Sequence, residues 1–333
     1  MKRSLFQRNI WRVIRCALLT GIVASFLSVP SSAQIETSGF PVVQLDESAR
    51  VAALGGRSPA LATDDVSAVF SNPAMLSLKA RNKLSLSYLN HVASVNAAWL
   101  SYARGLDSLT TAAIGIRYLG FGSFDRADNQ GTTNGTFNAS DLSLTIGASR
   151  KFRERISFGA NVHYLLSSID GFHSSALTFD AGVFYTVESS LTTLGATIQN
   201  AGFVLSSFGK RNDTVPFDIR LGLTKKLAHV PLLLSITAYR LNRLDGGSED
   251  DTALSNTLYH LIFGFEFLFS ESFQIRFGYN HRRHDELRMK SRLDFAGYSI
   301  GAGIKLSRIT VDYAFNSWSS LGGLHRFSVQ TSL

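Results

Sequence analysis

The sequence predicts an all-β fold, a 14-stranded antiparallel outer-membrane β-barrel with a short N-terminal helix-and-turn plug. Three observations predict it. From about Lys83 to Leu333, strand-length segments alternate bulky apolar residues with small or polar ones. The connections between those segments alternate short with long. A basic, then apolar, then small-residue leader opens the chain. Successive strand side chains point to opposite faces, so period two gives each strand an apolar side and a polar side. A soluble sandwich shows the same alternation, and the leader and loop lengths separate the two.

Residues 1–33 read as a secretory signal. Lys2, Arg3, Arg8, Arg12 and Arg15 form a basic start without an acid, Cys16 to Val29 is apolar, and Ser31-Ser32-Ala33 offers a cleavage site before Gln34. That apolar stretch is short for a membrane helix, which needs roughly 20 residues. Cleavage removes the single cysteine of the sequence, so neither disulfides nor thiol chemistry is expected. It also removes five of the basic residues, and the formal charge of +8 falls to 8 − 5 = +3. That balance is no argument for nucleic acid as a partner. No later apolar run approaches the length of a membrane helix, so a membrane location requires a closed barrel.

Residues 34–80 do not alternate. Asp46 to Gly56 reads as a short helix with an acidic start, stopped by Gly55 and Gly56 after Leu54. Asp64 to Leu76 follows, with Asn72-Pro73 marking a turn. Two readings stand: a plug inside the barrel, or a periplasmic arm packed below it. Asp64 and Asp65 form a nominal metal pair, but adjacent acids without converging partners read as a cap or a solvated turn.

Residues 81–333 carry the barrel. Strands are expected at 82–90, 92–103, 109–119, 139–150, 155–167, 175–187, 191–200, 216–226, 230–242, 257–269, 272–281, 292–305, 307–316 and 323–333. Proline is absent from 81 to 215, which suits uninterrupted ladders. Connections after even-numbered strands are short, as at Arg104–Ser108 and Lys151–Glu154. Those after odd-numbered strands are mostly long: Gly120–Asn138, Ser168–Ser174, Ala201–Val215, Asn242–Asn256 and Arg282–Ser291. Short periplasmic turns and long outer loops are the habit of outer-membrane barrels. In the tenth strand Tyr259, Leu261, Phe263, Phe265, Phe267 and Phe269 share the lipid face. In the twelfth, Ala296, Tyr298, Ile300, Ala302, Ile304 and Leu306 do so, and Phe295, Gly297, Ser299, Gly301 and Gly303 line the lumen. Small lumenal residues leave room for something inside.

Several of these residues carry a resemblance. Ala49-Arg50, Leu54-Gly55-Gly56, Asp64-Asp65, Ser67-Ala68, Asn72-Pro73-Ala74 and Leu76 resemble the N-terminal region of the long-chain fatty-acid-transporter-like barrels. Gly135 to Asp141, Ser167 to Leu177, Asp180-Ala181-Gly182, Asp312-Tyr313-Ala314 and His325 to Ser328 narrow the match to the PorQ group of type IX secretion outer-membrane proteins. The resemblance covers essentially the whole chain after the leader. It implies a 14-stranded plugged barrel. It also implies a place among other type IX secretion outer-membrane and surface proteins, where cargo is processed and attached to lipopolysaccharide.

No catalytic, cofactor or metal constellation is apparent. His281-Arg282-Arg283-His284-Asp285-Glu286 reads as a solvated charged loop, and His163 faces the lumen without a recognisable nucleophile. Two functions remain. One is a non-enzymatic secretion component whose outer loops hold a partner through Phe121, Phe124, Phe203, Phe208, Arg282, Arg283 and Arg288. The other is an outer-membrane transporter for hydrophobic small molecules.

Overall fold

The computed structural model describes residues 39–90, 94–127, 132–209, 213–244, 253–289, 294–318 and 322–333. The leader lies outside these residues. The strands are β1 (Lys83–Asn90), β2 (Asn96–Gly105), β3 (Thr110–Ala127), β4 (Thr133–Arg153), β5 (Ile156–Ile169), β6 (Phe172–Val187) and β7 (Thr192–Ser206). They continue as β8 (Asp218–Lys226), β9 (Leu232–Ala238), β10 (Leu261–Leu268), β11 (Phe273–Asn280), β12 (Tyr298–Leu306), β13 (Ile309–Ser317) and β14 (Gly323–Ser332). Each pairs antiparallel with its neighbours in sequence. The ring closes between β1 and β14, from Lys83↔Ser332 to Asn90↔His325. Closure leaves the sheet without an edge, which is what permits it to cross lipid.

The alternation seen in the sequence is the alternation of the wall. Ile114, Ile146 and Leu221 are 58%, 69% and 51% exposed on the outside, whereas Ser143, Thr178 and Glu266 are buried in the lumen. A continuous apolar exterior over a polar interior is sustainable only against acyl chains. The apolar core is therefore displaced to the lumen. There Phe40, Val42, Val43, Val69 and Phe70 of the N-terminal segment pack on Leu89, Trp99, Leu119 and Leu165 of the wall.

Several boundaries differ from expectation. A barrel strand needs only about 9–11 residues to cross lipid, yet β3 has 18 and β4 has 21. Most of the expected loop Gly120–Asn138 is thus a projecting hairpin, bent by an irregularity between Gly120 and Ser123. The expected loop Ser168–Ser174 shrinks to a tight turn at Asp170-Gly171, both with positive φ (49° and 81°), the backbone of a two-residue hairpin. β9 stops at Ala238, short of the expected 242, and Arg240 just beyond it adopts φ 55°. Tyr259 does not lie on a strand face: it ends a helix, α2 (Ala253–Tyr259), and is buried. Ala296 likewise precedes β12 and is fully buried. The segment 281–287, read as a solvated loop, is helix α3, capped by Asn280, whose side chain accepts from the Arg283 N–H. Helix α1 (Ala49–Ala53) belongs to the N-terminal segment.

Candidate functional site

Residues 39–80 lie inside the barrel and run the length of the lumen. At the end bearing the long connections, the Gly39 N–H donates to the Thr214 carbonyl at 3.2 Å, and the Val42 N–H donates to Asp141 Oδ2 at 3.3 Å. At the opposite end, Arg81 Nε donates to Thr111 Oγ1 at 3.2 Å beside the β2–β3 turn. The plug reading is therefore the one realised, and the arm packed below the barrel is not.

The segment lacks long helices, so its turns are held by side-chain caps. Ser48 caps α1, Asp65 accepts from the Ser67 N–H at 2.9 Å, and Asn72 accepts from the Ala74 N–H at 3.0 Å. Asp65 is thus a cap, as its neighbours imply, and Asp64 pairs with Lys83. Gly55 and Gly56, at φ 90° and 145°, end α1 in a conformation that side chains rarely adopt.

Wall glycines are the seats for these turns. A Cβ at Gly278 would fall 2.1 Å from the Gly55 nitrogen, at Gly182 1.9 Å from Asn72 Oδ1, and at Gly159 2.4 Å from the Pro73 carbonyl carbon. Leu54, buried, lies over Gly264. Asn72 Nδ2 adds hydrogen bonds to the Pro59 carbonyl at 2.8 Å and the Val183 carbonyl at 3.2 Å. The seven motif residues Leu54, Gly55, Gly56, Asp64, Asp65, Asn72 and Pro73 are the points where plug meets wall or turns upon itself. Two of the five residues expected to line the lumen on the twelfth strand have the same role: Ala53 approaches Gly301, and Ser299 Oγ donates to the Ala53 carbonyl at 3.1 Å. Gly303 lies against Arg276 and Asp312 instead, and Phe295 and Gly297 precede β12, with Phe295 exposed because the chain there is a turn and not a strand.

Two ionic seams complete the attachment. Arg50 grips Glu266 with both ends of its guanidinium, Nε to Oε1 at 3.0 Å and Nη2 to Oε2 at 2.8 Å. Glu266 also accepts from Arg276 Nε at 2.7 Å, and Arg276 Nη1 donates to Asp312 Oδ1 at 2.5 Å. Nearer the long-loop end, Asp46 Oδ2 accepts from Arg283 Nη2 at 3.0 Å, with Arg326 Nη1 at 3.9 Å. Bidentate pairs of this kind fix geometry as well as charge. The plug-to-wall pair of neither seam is visible in the sequence, since Arg50 and Glu266, like Asp46 and Arg283, are separated by more than two hundred positions.

The seven aromatic and basic residues expected on the outer loops do not converge on one surface. Phe121 is half-buried against the lumenal core. Phe124 is 43% exposed and stacks on Phe137 at 5.4 Å on the projecting β3–β4 hairpin. Phe203, paired with Leu177, is exposed on β7. Phe208 is half-buried, its N–H donating to Asp213. On α3, Arg283 is committed to the plug through Asp46. Arg282 pairs with Glu286 and lies over Tyr259 at 4.9 Å, while Arg288 pairs with Asp285 at 2.9 Å. Burial, and the hydrogen bond it donates to Glu286, push the Tyr259 hydroxyl above its ordinary range.

His163 does have a hydroxyl partner, contrary to the sequence reading. Thr145 Oγ1 is 2.8 Å from its Nδ1, and Asp180 Oδ2 is 2.7 Å from its Nε2. The partners sit across the β4–β5 and β5–β6 ladders, which only the register reveals. The residue order, hydroxyl to imidazole to carboxylate, is that of a nucleophilic triad, but the two ring nitrogens are exchanged. All three side chains are nevertheless buried, and Arg117 Nη2 lies 3.3 Å from the same Nδ1, so no substrate reaches the hydroxyl. Within the plug, a cavity of about 10 Å³ is lined by Glu47, Ser48, Asp65, Ser67 and Ser71 among others. That is about the space of one water molecule.

No family model matches the chain, and no curated protein matches it. Solved structures do. The P. putida toluene transporter TodX matches at TM-score 0.54 and 14% identity, covering 86% of this chain and 96% of its own. A TodX variant described as a monoaromatic hydrocarbon channel matches at 0.58 and 15%, covering 86% and 99%. A Pseudomonas aeruginosa FadL homologue matches at 0.54 and 10%, covering 86% and 98%. At such identities the likeness is one of fold: a closed 14-stranded antiparallel barrel of the TodX and FadL type.

Proposed function

We propose that this protein is a non-enzymatic outer-membrane component of a type IX secretion system, whose long-loop end holds a partner protein while the barrel anchors it. The observation that carries this reading is the filled lumen. The plug is seated on wall glycines and tied by two ionic seams, and among the described residues a cavity between its turns measures about 10 Å³. Beyond the mouth, by contrast, the β3–β4 hairpin projects a stacked aromatic pair, of the kind enriched at protein interfaces. The sequence resemblance described above supplies the system; the fold supplies the anchor.

A second reading, transport of hydrophobic small molecules, has its own support, and the comparisons favour it over the first. The solved barrels of the same fold include a toluene transporter and a hydrocarbon channel. For transport, the plug would have to leave part of its present seat. A deletion strain separates the readings. Cargo left unprocessed or unattached, with uptake of hydrophobic substrates unchanged, supports the secretion role. Intact cargo export with failed growth on a hydrophobic substrate overturns it in favour of transport.

A further inference from the structure

The short-turn end carries a cleft that neither function uses. It opens on the outer wall at the β4–β5 turn, has a volume of about 420 Å³, and is lined by Arg153, Glu154, Arg155, Ile156 and Tyr185. Ile156 and Tyr185 face each other across the β5–β6 ladder on the lipid side. The next lipid-facing pair inward is Phe158 and Val183, both exposed. An apolar track therefore leads from the cleft into the lipid-facing band.

The polar lining is exposed and uncommitted. Among the described residues, Arg153 makes only a ring contact with Phe152 at 5.6 Å, and no ion pair engages Arg155 or Glu154. Exposed Arg104, Lys225, Lys226, Lys305 and Arg308 stand on the same rim, outnumbering the exposed acids Asp107, Glu188 and Glu271 there. Tyrosine at this depth is placed as interfacial aromatics are, ring in the apolar zone and hydroxyl among headgroups. Two guanidiniums present donors matched to a phosphodiester. Between them in sequence stands one carboxylate. It repels a purely anionic headgroup but accepts hydrogen bonds from an ammonium.

We propose that this cleft seats the headgroup of a glycerophospholipid that carries a primary ammonium beside its phosphodiester. The phosphate lies between Arg153 and Arg155, the ammonium on Glu154, and an acyl chain along Ile156, Phe158 and Val183. With short turns in the periplasm, the lipid comes from the periplasmic leaflet.

Native mass spectrometry of the full barrel in detergent tests this, with phosphatidylethanolamine, phosphatidylcholine and phosphatidylglycerol of identical acyl chains as probes. The unmodified protein retains phosphatidylethanolamine about tenfold more strongly than phosphatidylcholine, whose methylated ammonium cannot donate to Glu154. Glu154→Gln brings those two lipids to parity. Arg153→Gln with Arg155→Gln weakens all three by about tenfold or more. Lys225→Gln with Lys226→Gln, the same charge removed elsewhere on the rim, changes nothing. Equal retention of the three lipids by the unmodified protein overturns the assignment, as does an equal loss in the Lys225/Lys226 variant. Binding of poly-glutamate in place of lipid, lost with Arg153 and Arg155, makes the cleft a protein-docking surface and also overturns it.

Discussion

If the seam between Arg50 and Glu266 holds the plug, neutralising Glu266 should loosen the plug without opening the wall. Glu266 is 2% exposed and accepts from two guanidiniums, Arg50 and Arg276. In Glu266→Gln those two cations face each other, and Asp312 is the carboxylate still bonded to one of them. Breaking one side of a buried ion pair costs about 3–5 kcal/mol, and the amide retains part of the hydrogen bonding, so the lower figure applies. At 1.36 kcal/mol per tenfold, about 3 kcal/mol raises the population of released plug by about two orders of magnitude. Ser48→Cys provides the reporter. Ser48 is 1% exposed, and the one cysteine of the sequence lies in the predicted leader. Maleimide labelling of the thiol introduced at position 48 then reads local opening. The rate in Glu266→Gln should rise by about 10²-fold, while Asp107→Asn, on an exposed turn, leaves it unchanged. A rate within about threefold of the parent would mean that the wall glycines, not the charges, hold the segment.

Gly182→Ala places a methyl 1.9 Å from Asn72 Oδ1, so plug docking should weaken by about 1–3 kcal/mol. Adding Asn72→Gly should recover part of it, and urea-dependent labelling of the same Ser48→Cys reporter checks both. The closed ring should give heated and unheated samples different mobility in detergent gels; identical mobility with a soluble fraction would refute the membrane barrel. A peptide tag at Glu154 should stay hidden on intact cells while one at Gly246, outside the described residues, binds antibody. Labelling at Glu154 would invert the topology. Phe124→Ala with Phe137→Ala should reduce partner capture at the cell surface without lowering the amount of barrel in the membrane.

How much of this was legible in the sequence depended on range. Ile309 to Asn316 announces a strand because period two is local, and the loop parity gives the ring its direction. The projecting hairpin was hidden because Gly120, Gly122, Gly131 and Gly135 carry turn chemistry, even though Thr133 to Asn138 pair with β3. Helix α3 was hidden by its composition, since His281 to Glu286 has no apolar period and owes its place to Asn280 and to Arg283 gripping the plug. The hydroxyl beside His163 needed the register, not the residue types. The plug's motif residues were visible as turns and glycines, but their seats at Gly159, Gly182 and Gly278 were indistinguishable from ordinary small lumenal residues.

The route of the plug constrains the order of assembly. Residue 39 is bonded near one mouth of the barrel and residue 81 near the other, so the segment is threaded through the ring like a cord through a bead. Feeding it through a finished ring would drag its turns past seats where even an added methyl has no room. Wrapping the sheet around it meets no such obstacle. The closing seam joins the first strand to the last, and the first strand begins three residues after the plug's final turn ends at Ala80. The geometry favours an order in which the staves gather around the cord before the hoop is fastened where β1 meets β14.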